Sequence, residues 1–331
     1  MRISTIIPAY NRADLIGETL RSVLEQDRPP DEVIVVDDGS TDGTPDAVAS
    51  YGKAVTLIRQ ANAGPGPARN TGFAASSGEI VHFMDSDDLI SLNFYAVAAA
   101  AIEGGAEMTY GPWLKTRIDG RMLDPETYVI QQGPIPPQHA LRDLLLLMEW
   151  GIVFQPCLFR REILTSAGPY RSDLNNWEDN ELLYRIAGVA KTSPVHVAHV
   201  LTLYRLHPEN QITQRGTNRR ALDHAGVAAI LSASLDRRTG ISPGVRRAFA
   251  RRKYDISLEV RRWDATQADL LAIGVPLLVK ATRPLWQLAR RINARMRVAA
   301  RGNPYPPTFA VAPLREDQRC EIARLGYVLP D

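Results

Sequence analysis

Two short apolar runs near the start of the chain each end in a cluster of acidic side chains. The run Glu32–Val36 continues into Asp37 and Asp38, and the run Glu79–Met84 continues into Asp-Ser-Asp-Asp at positions 85–88. Short apolar runs bounded by turn residues are typical of buried strands. Because parallel strands end at one edge of a sheet, where open α/β sheets bind ligands, we expect both clusters to lie there together. Gathered carboxylates repel one another, which predicts a divalent cation carrying a phosphorylated ligand between them.

The first 115 residues alternate strand patterns with helix patterns. This alternation predicts an α/β fold of βαβ units, with an open, mostly parallel, Rossmann-like sheet flanked by helices. The predicted strands are Arg2–Pro8, Glu32–Asp37, Val55–Arg59, Glu79–Met84 and Met108–Trp113. The predicted helices are Ala13–Glu25, Thr44–Tyr51, Pro67–Ser76 and Ser91–Glu103.

The pattern becomes irregular after residue 115. Helices are predicted over Gln138–Trp150, Glu162–Ala167 and Glu178–Ala187, and strands over Phe154–Arg160 and Val195–Arg205. Residues 219–300 have mostly helical composition and spacing, and the proline-rich stretch that follows is expected to be extended. We therefore divide the chain into an α/β domain, a basic helical extension and a Pro-containing tail, at residues 1–215, 216–301 and 302–331. The α/β domain itself has two halves, residues 1–115 and 116–215.

Composition places the chain among globular proteins, since hydrophobic residues form 45% and charged residues 23% of it. Its two cysteines, Cys157 and Cys320, are too distant in sequence to argue for a disulfide framework or a zinc site. The longest apolar stretch, Leu270–Val279, contains Gly and Pro and is too short to span a bilayer. The first residues have a strand pattern rather than that of a signal peptide. We therefore expect a cytoplasmic protein.

Positive charge is concentrated in the extension. Residues 245–301 hold 14 Lys and Arg against 4 Asp and Glu, whereas residues 1–244 hold 22 against 29. From Leu278 to Ala299 apolar residues recur at intervals of three and four, as on one helix face. Such a segment can lie on an anionic membrane surface, here the inner membrane face. The alternative is a helix that packs on the protein body or on a second subunit. No recognised nucleic-acid-binding module accompanies the charge, so we expect no nucleic acid partner.

Candidate ligand-binding residues follow the predicted strands. The turn after the first strand lacks the Gly-rich dinucleotide fingerprint, and its Tyr10 could lie against a flat base or simply form a turn. The carboxylate of Asp37 can accept hydrogen bonds from a nucleobase or ribose. The loop Asn62–Asn70 runs into a helix N-terminus, which attracts anions, and contains Arg69, although a simple turn explains its Gly and Pro residues equally well. The cluster at 85–88 holds three carboxylates where a helix cap needs one, which favours Mg²⁺ or Mn²⁺ binding.

Together these segments resemble the family 2 glycosyltransferases, which have the GT-A fold. The matching segments are Pro8–Arg12, Val36–Ser40, Asn62–Asn70 and the Asp-x-Asp motif Asp85–Asp87, in the same order and with similar spacing. The resemblance is strong over residues 1–115, and it implies that these residues bind the nucleotide. It is looser to about residue 210, where it implies an acceptor-binding half.

The resemblance also implies roles for single residues. Asp37 contacts the nucleotide base, usually uracil, Arg69 holds the nucleotide, and Asp85 contacts ribose or the donor sugar. Asp87 binds the metal that bridges the diphosphate. The residues implied to surround the nucleotide-sugar are Pro8, Ala9, Tyr10, Asn11, Arg12, Asp37, Asp38, Asn62, Gly64, Arg69, Asp85, Ser86 and Arg205.

Members of this family invert the anomeric carbon with a carboxylate base from a Glu-Asp pair. Here that pair is Glu178 and Asp179, although acidic residues in a first helical turn also interact favourably with the helix dipole. We expect Asp179 to be the base, Glu178 to orient it and Trp177 to stack on an acceptor sugar. Tyr204–His207 resembles a segment that closes over the diphosphate, so Arg205 could clamp phosphate. The histidine of that segment, His207, is either a further metal ligand or structural.

The sequence therefore predicts an inverting glycosyltransferase that uses Mn²⁺ or Mg²⁺. The expected donor is a nucleotide-diphosphate sugar, most simply a UDP-sugar, and the expected acceptor is a hydroxyl of a glycan or lipid-linked glycan. One alternative is a sugar-phosphate nucleotidyltransferase, but residues 8–14 lack the Gly-rich, basic phosphate loop of such enzymes. The other is a non-catalytic nucleotide-sugar-binding protein of the same fold, which the intact Asp87 and Asp179 argue against.

Overall fold

The computed structural model describes most of the chain outside four longer segments. The described residues are 1–124, 129–132, 153–174, 176–207, 224–232, 243–262, 264–272, 275–282, 284–285, 287–288, 309–312 and 314–329. The helix predicted over Gln138–Trp150 lies outside them, as do the end of the basic extension and the start of the tail.

Strands and helices alternate through the first hundred residues, as predicted. The strands are β1 (Ile3–Ala9), β2 (Glu32–Asp37), β3 (Thr56–Arg59), β4 (Ile80–Phe83), β5 (Leu89–Ile90), β6 (Thr109–Tyr110), β7 (Trp113–Asp119), β8 (Met122–Asp124), β9 (Val129–Gln132), β10 (Leu158–Arg160), β11 (Val195–His196), β12 (Thr202–Arg205) and β13 (Phe309–Ala312). The helices are α1 (Ile16–Leu24), α2 (Thr44–Ala49), α3 (Pro65–Ala75), α4 (Phe94–Glu103), α5 (Arg161–Ala167), α6 (Glu178–Val189), α7 (Pro243–Val260), α8 (Ala265–Ala272), α9 (Leu277–Ala281) and α10 (Glu316–Arg324).

The central sheet has the strand order β10-β4-β1-β2-β3. Strands β1 to β4 run parallel, and β10 is antiparallel to β4. All seven residues of β1 are buried because helices cover both faces of the sheet. Ile3 and Ile7 pack in one cluster with Leu20 of α1 and Phe94 of α4. Ile6 belongs to a second cluster, which includes residues of α5 and α6.

The fifth strand of the sheet is not the predicted one. The segment predicted as the strand Met108–Trp113 is interrupted, and β10 takes the fifth place in the sheet. Gly111 lies at the interruption, where a Cβ atom would come within 2.6 Å of Val200 Cγ2. The following Pro112 cannot donate a ladder hydrogen bond. The strand predicted over Val195–Arg205 is divided correspondingly, because β11 pairs with β6 and β12 pairs with β7.

The tail is not simply extended. Its residues Phe309–Ala312 form β13, which pairs with β9, but Glu316–Arg324 form helix α10. Acidic residues in the first turn of α10 and a capping box between Arg315 and Gln318 favour the helix. Ile322 and Tyr327 pack among leucines of the α/β domain. The tail is therefore part of the protein body.

The described part of the extension is helical, as predicted, and comprises residues 224–232, α7, α8 and α9. Helix α7 packs against both α8 and α9. No helix in the described ranges combines the length and apolar character needed to cross a bilayer.

Candidate active site

The ends of three strands bring the predicted residues to one edge of the central sheet. Strand β1 lies between β2 and β4, and its last residue, Ala9, pairs with Asp37. Three residues further along, Arg12 donates from Nε to Oδ2 of Asp87 at 3.0 Å. The two acidic clusters therefore lie at the same edge, as the strand order requires.

The cluster after β4 contains three carboxylates whose oxygen atoms lie within 4.8 Å of one another: Asp85, Asp87 and Asp88. Burial would raise the pKa of Asp87, but the hydrogen bond from His207 Nε2 at 3.0 Å and the charge of Arg12 hold it below its ordinary value. Arg12 and His207 thus offset part of the negative charge of the three-carboxylate cluster through Asp87.

Asp88 lies deepest in this cluster. Burial, with the charges of Asp87 and Asp85, raises its pKa well above the ordinary value. Its Oδ1 accepts the Arg205 backbone N–H at 2.8 Å, while its buried Oδ2 has no hydrogen-bond donor in the described part of the chain. An unsatisfied buried carboxylate oxygen beside two further carboxylates fits a divalent cation, which prefers oxygen ligands.

Arg69 connects this cluster to the start of α6. Its Nη2 donates to Asp85 Oδ1 at 2.7 Å and its Nη1 to Glu178 Oε1 at 2.9 Å. The Nη1 atom also lies 3.5 Å from Asp179 Oδ1, and the guanidinium lies over the ring of Tyr170. Its side chain is only 4% exposed. One arginine thus neutralises part of the charge of three carboxylates that come from distant parts of the sequence.

Asp179 is a buried carboxyl group whose pKa is raised to near neutral pH. Burial raises its pKa to about 7 against the opposing charge of Arg69, and the charges of Glu178 and Asp85 add to the rise. Its buried Oδ1 accepts no hydrogen bond from any described residue. Trp177 precedes α6 with a left-handed φ of 65°, and Asp179 lies in the first turn of that helix.

Asp37 and Asp38 differ in what they contact. Asp37 is fully buried, and its carboxylate accepts hydrogen bonds from Arg59 Nε at 3.1 Å and from the Ser40 backbone N–H. Asp38 accepts bonds from the backbone N–H groups of residues 63 and 64 at 2.9 and 2.8 Å, and from Gln60. The carboxylate of Asp38 therefore shapes the loop that leads into α3.

Two exposed residues lie near the ends of these strands, one after β1 and one in the loop before α3. Tyr10 is 39% exposed, and Asn62 is exposed as well. Asn62 lies close to Gly39, because its backbone nitrogen is 2.9 Å from the position that a Cβ atom of residue 39 would occupy. Gly64 has a φ of 96°, a conformation that disfavours other residues. These glycines allow the loop to lie tightly against the strand ends.

The remaining predicted residues have partners within the protein. Pro8 and Ala9 are buried in β1, the side-chain oxygen of Asn11 accepts the Thr41 backbone N–H, and the carbonyl of Ser86 accepts a bond from Thr19. The side chain of Arg205 is 4% exposed and donates to Glu18 Oε2 at 2.5 Å.

Trp177 stacks on His224. The ring centroids are 4.5 Å apart and the planes differ by 8°. One face of the indole is therefore covered by the helical residues 224–232 of the extension.

Sequence reasoning missed two polar residues of the site. Gln155 donates from Nε2 to Asp85 Oδ2 at 2.5 Å. The backbone carbonyl of Gln155 forms a hydrogen bond with Nε2 of His82, and burial lowers the pKa of that histidine to about 4. Tyr170 lies under Arg69. Both come from irregular segments and carry no charge, so neither a motif nor a periodic pattern marks them.

The sequence model described as glycosyl transferase family 2 matches residues 4–166. The chain carries a family 2 glycosyltransferase domain. The resemblance drawn from the motifs is thereby confirmed.

Two curated relatives show how far the sequence similarity extends. The Bacillus subtilis protein named as glycosyltransferase EpsH is 28% identical over 212 residues, which cover 62% of this chain and 61% of EpsH. Poly(ribitol-phosphate) beta-N-acetylglucosaminyltransferase TarS of Staphylococcus aureus is 40% identical over 109 residues, covering 31% of this chain and 19% of TarS. The chain thus spans less than two thirds of the length of these relatives.

Solved structures confirm the predicted α/β GT-A fold. The crystal structure of S. aureus TarS 1–349 in complex with UDP-GlcNAc superposes with a TM-score of 0.64 at 23% identity, covering 92% of this chain and 93% of that one. The mannosyltransferase PcManGT from Pyrobaculum calidifontis, in complex with GDP-Man and Mn²⁺, has a TM-score of 0.53 at 21% identity. The match covers 98% of this chain and 86% of PcManGT. At these identities the similarity is one of fold.

Proposed function

We propose that the protein transfers a sugar from a nucleotide-diphosphate donor to an acceptor hydroxyl, with inversion at the anomeric carbon and with Asp179 as general base. The observation that carries this proposal is the link through Arg69, which joins Asp85 of the acidic cluster to the Glu178–Asp179 pair. A base with a pKa of about 7 therefore lies beside the cluster proposed to hold the diphosphate.

The nucleotide is assigned to the ends of β1 and β2, with a UDP-sugar as donor. Tyr10 and Asn62 offer exposed surface there. The Arg59 side chain that covers Asp37 is 62% exposed, so it can move aside when a base approaches that carboxylate. The complex of TarS with UDP-GlcNAc supports the choice of a uridine nucleotide.

A divalent cation, Mn²⁺ or Mg²⁺, is assigned to Asp87, with Asp88 and His207 as further ligand candidates. The close carboxylate oxygens and the unsatisfied Oδ2 of Asp88 support this assignment. Mn²⁺ in the PcManGT complex supports it as well. When bound, such an ion stabilises the charge that develops on the leaving nucleotide diphosphate.

The reaction needs the acceptor hydroxyl to lose a proton while its oxygen bonds to the anomeric carbon. The bond from that carbon to the diphosphate oxygen breaks, the electron pair leaves with the nucleotide diphosphate, and the proton passes to Asp179. Attack opposite the leaving group inverts the configuration. Arg69 remains paired with Glu178 and limits the movement of the neighbouring base.

The acceptor is proposed to be a glycan or lipid-linked glycan, handled in the cytoplasm at the inner membrane face. The polymer acceptor in the name of TarS supports this class. Trp177 is proposed to contact the acceptor through the parts of the indole that His224 does not cover. Its position directly before the pair Glu178–Asp179 supports that role.

The test is a panel of nucleotide sugars with simple glycosides as acceptors, in which release of nucleoside diphosphate is measured with and without Mn²⁺. We expect turnover with at least one UDP-sugar, and its loss in both Asp87→Asn and Asp179→Asn. Pyrophosphate release from a nucleoside triphosphate and a sugar phosphate would indicate a nucleotidyltransferase instead. Turnover that is indifferent to metal and to both substitutions would remove the proposal.

A further inference from the structure

Four leucines of the extension point away from the protein body. Leu277, Leu278, Leu285 and Leu288, here called the leucine patch, are 83%, 73%, 70% and 56% exposed. The exposed large apolar residues of the α/β domain are less exposed and scattered, for example Met122 at 47% and Val195 at 40%. Leucines that are so exposed and so close together in sequence indicate an interaction surface.

The leucine patch is held in place by the helix beneath it. Helix α9 packs on α7, and Val279 is only 5% exposed although both preceding residues face solvent. Further along, Gln287 Nε2 donates to Asp255 of α7 at 3.2 Å. Lys280 Nζ lies 5.8 Å from the ring centroid of Tyr254, also on α7. The exposed leucines are thus the outer face of a packed segment.

The charge of the segment that carries the patch indicates what covers it. Residues 245–301 have an excess of 10 positive charges, from 14 Lys and Arg against 4 Asp and Glu. Arg246, Arg247 and Arg262 are exposed in the described helices and turns of this segment. An anionic surface complements that charge, whereas a second copy of the same segment would bring like charges together. Exposed apolar residues within a basic helical segment are typical of helices that lie in the membrane interface.

We propose that the leucine patch docks on an anionic lipid bilayer, with the leucines entering the boundary between headgroups and acyl chains and the basic residues contacting lipid phosphates. The choice of a membrane-held acceptor rests on the proposed function; the docking itself does not. Docking would present such an acceptor to the same body that carries Asp179, since Trp177 stacks on His224 of the extension.

The test is sedimentation of the full chain with vesicles of phosphatidylcholine, with or without phosphatidylglycerol. We expect binding to the anionic vesicles and weak binding to the neutral ones. Binding should fall when salt is raised from about 0.1 M to about 1 M, because the screening length then shortens from about 10 Å to about 3 Å. The double variant Leu278→Asp/Leu285→Asp should bind at least about tenfold more weakly.

The matched control is Met122→Asp/Val195→Asp, which adds the same charge at exposed apolar positions of the α/β domain. It should bind vesicles like the unaltered protein, and thermal unfolding checks that both variants are folded. The proposal is overturned if the unaltered protein ignores anionic vesicles, if it binds neutral ones equally, or if the leucine variant still binds. Light scattering that shows a dimer lost only in the leucine variant, without vesicle binding by the unaltered protein, would identify a second copy as the occupant.

Hydrolysis of nucleotide sugar in solution separates this proposal from the proposed function. It should be unchanged in both double variants, because neither touches the acidic cluster. If vesicle binding follows the predicted pattern while no protein turns over any donor, the assignment as a transferase fails and the docking surface stands.

Discussion

Replacing Asp179 by asparagine should remove the acidic limb of the pH–rate profile and lower the maximal rate. The amide keeps nearly the same shape but cannot take up a proton. In the unaltered protein burial, assisted by Glu178 and Asp85, raises the pKa of Asp179 to about 7 despite Arg69. The carboxylate is therefore the working form above that pH, and activity is lost as the pH falls through it.

The expected magnitude follows from that pKa. One pH unit below it only about a tenth of the molecules carry the ionised base, so the rate at about pH 6 should be about a tenth of the plateau. Positioned general bases contribute about 10²- to 10⁴-fold to the rate. Asp179→Asn should lower the plateau by a factor in that range, and the remaining activity should no longer fall tenfold per pH unit below neutrality.

The assay is kcat/KM for nucleoside diphosphate release between about pH 5.5 and pH 8.5, since this quantity reports groups of the free enzyme. The matched variant is Glu178→Gln, which removes a negative charge that raises the pKa of Asp179. Its acidic limb should therefore move to lower pH, while asparagine at 179 abolishes the limb.

Two outcomes would refute this reasoning. One is a flat profile for the unaltered protein across neutral pH. The other is an acidic limb in Asp179→Asn with the same midpoint as before, which would assign the titrating base to another group.

Four further substitutions test the metal ligand and the packing. His207→Ala should weaken Mn²⁺ binding about 10- to 100-fold in a calorimetric titration, and unchanged affinity would leave the histidine structural. Ile322→Ala, at a buried position of the tail helix, should lower the unfolding free energy by about 2–5 kcal/mol in a urea titration, unless the tail contributes nothing to the body. Gly72→Ala would place a Cβ atom 2.4 Å from Ile6 Cγ2, so it should cost about 1–3 kcal/mol, whereas Gly17→Ala, with room for the methyl group, should be neutral or slightly stabilising. Equal stabilities of the two glycine variants would contradict the packing of α3 on β1.

The sequence was sufficient for the parallel strands and for the edge where they end. Strand β2 has the predicted bounds, Glu32–Asp37, because a continuous apolar run ending in acids has no competing helical pattern. The contact of Arg12 with Asp87 follows the same logic, since both residues come directly after neighbouring parallel strands. Local pattern and strand order together determine these positions.

Other parts depend on contacts that no local pattern records. Arg69 is expected to hold the nucleotide, and no local pattern indicates that it also donates a hydrogen bond to Glu178, which is 109 positions away. Gln155 reaches Asp85 from an irregular segment. The helix at Glu316–Arg324 follows a proline-rich stretch whose composition suggested an extended chain, and it is stabilised by packing on the α/β domain. Tertiary packing, rather than propensity, decides such segments.

The most direct test of the account is a calorimetric titration of UDP into the protein, with and without Mn²⁺, in the unaltered chain and in Asp87→Asn. The central claim is that a cation and a diphosphate together neutralise the carboxylates of Asp85, Asp87 and Asp88. It predicts tight UDP binding only when Mn²⁺ is present, and loss of that enhancement in the variant. Equal UDP affinity with and without metal, or a metal enhancement that survives in Asp87→Asn, would contradict it.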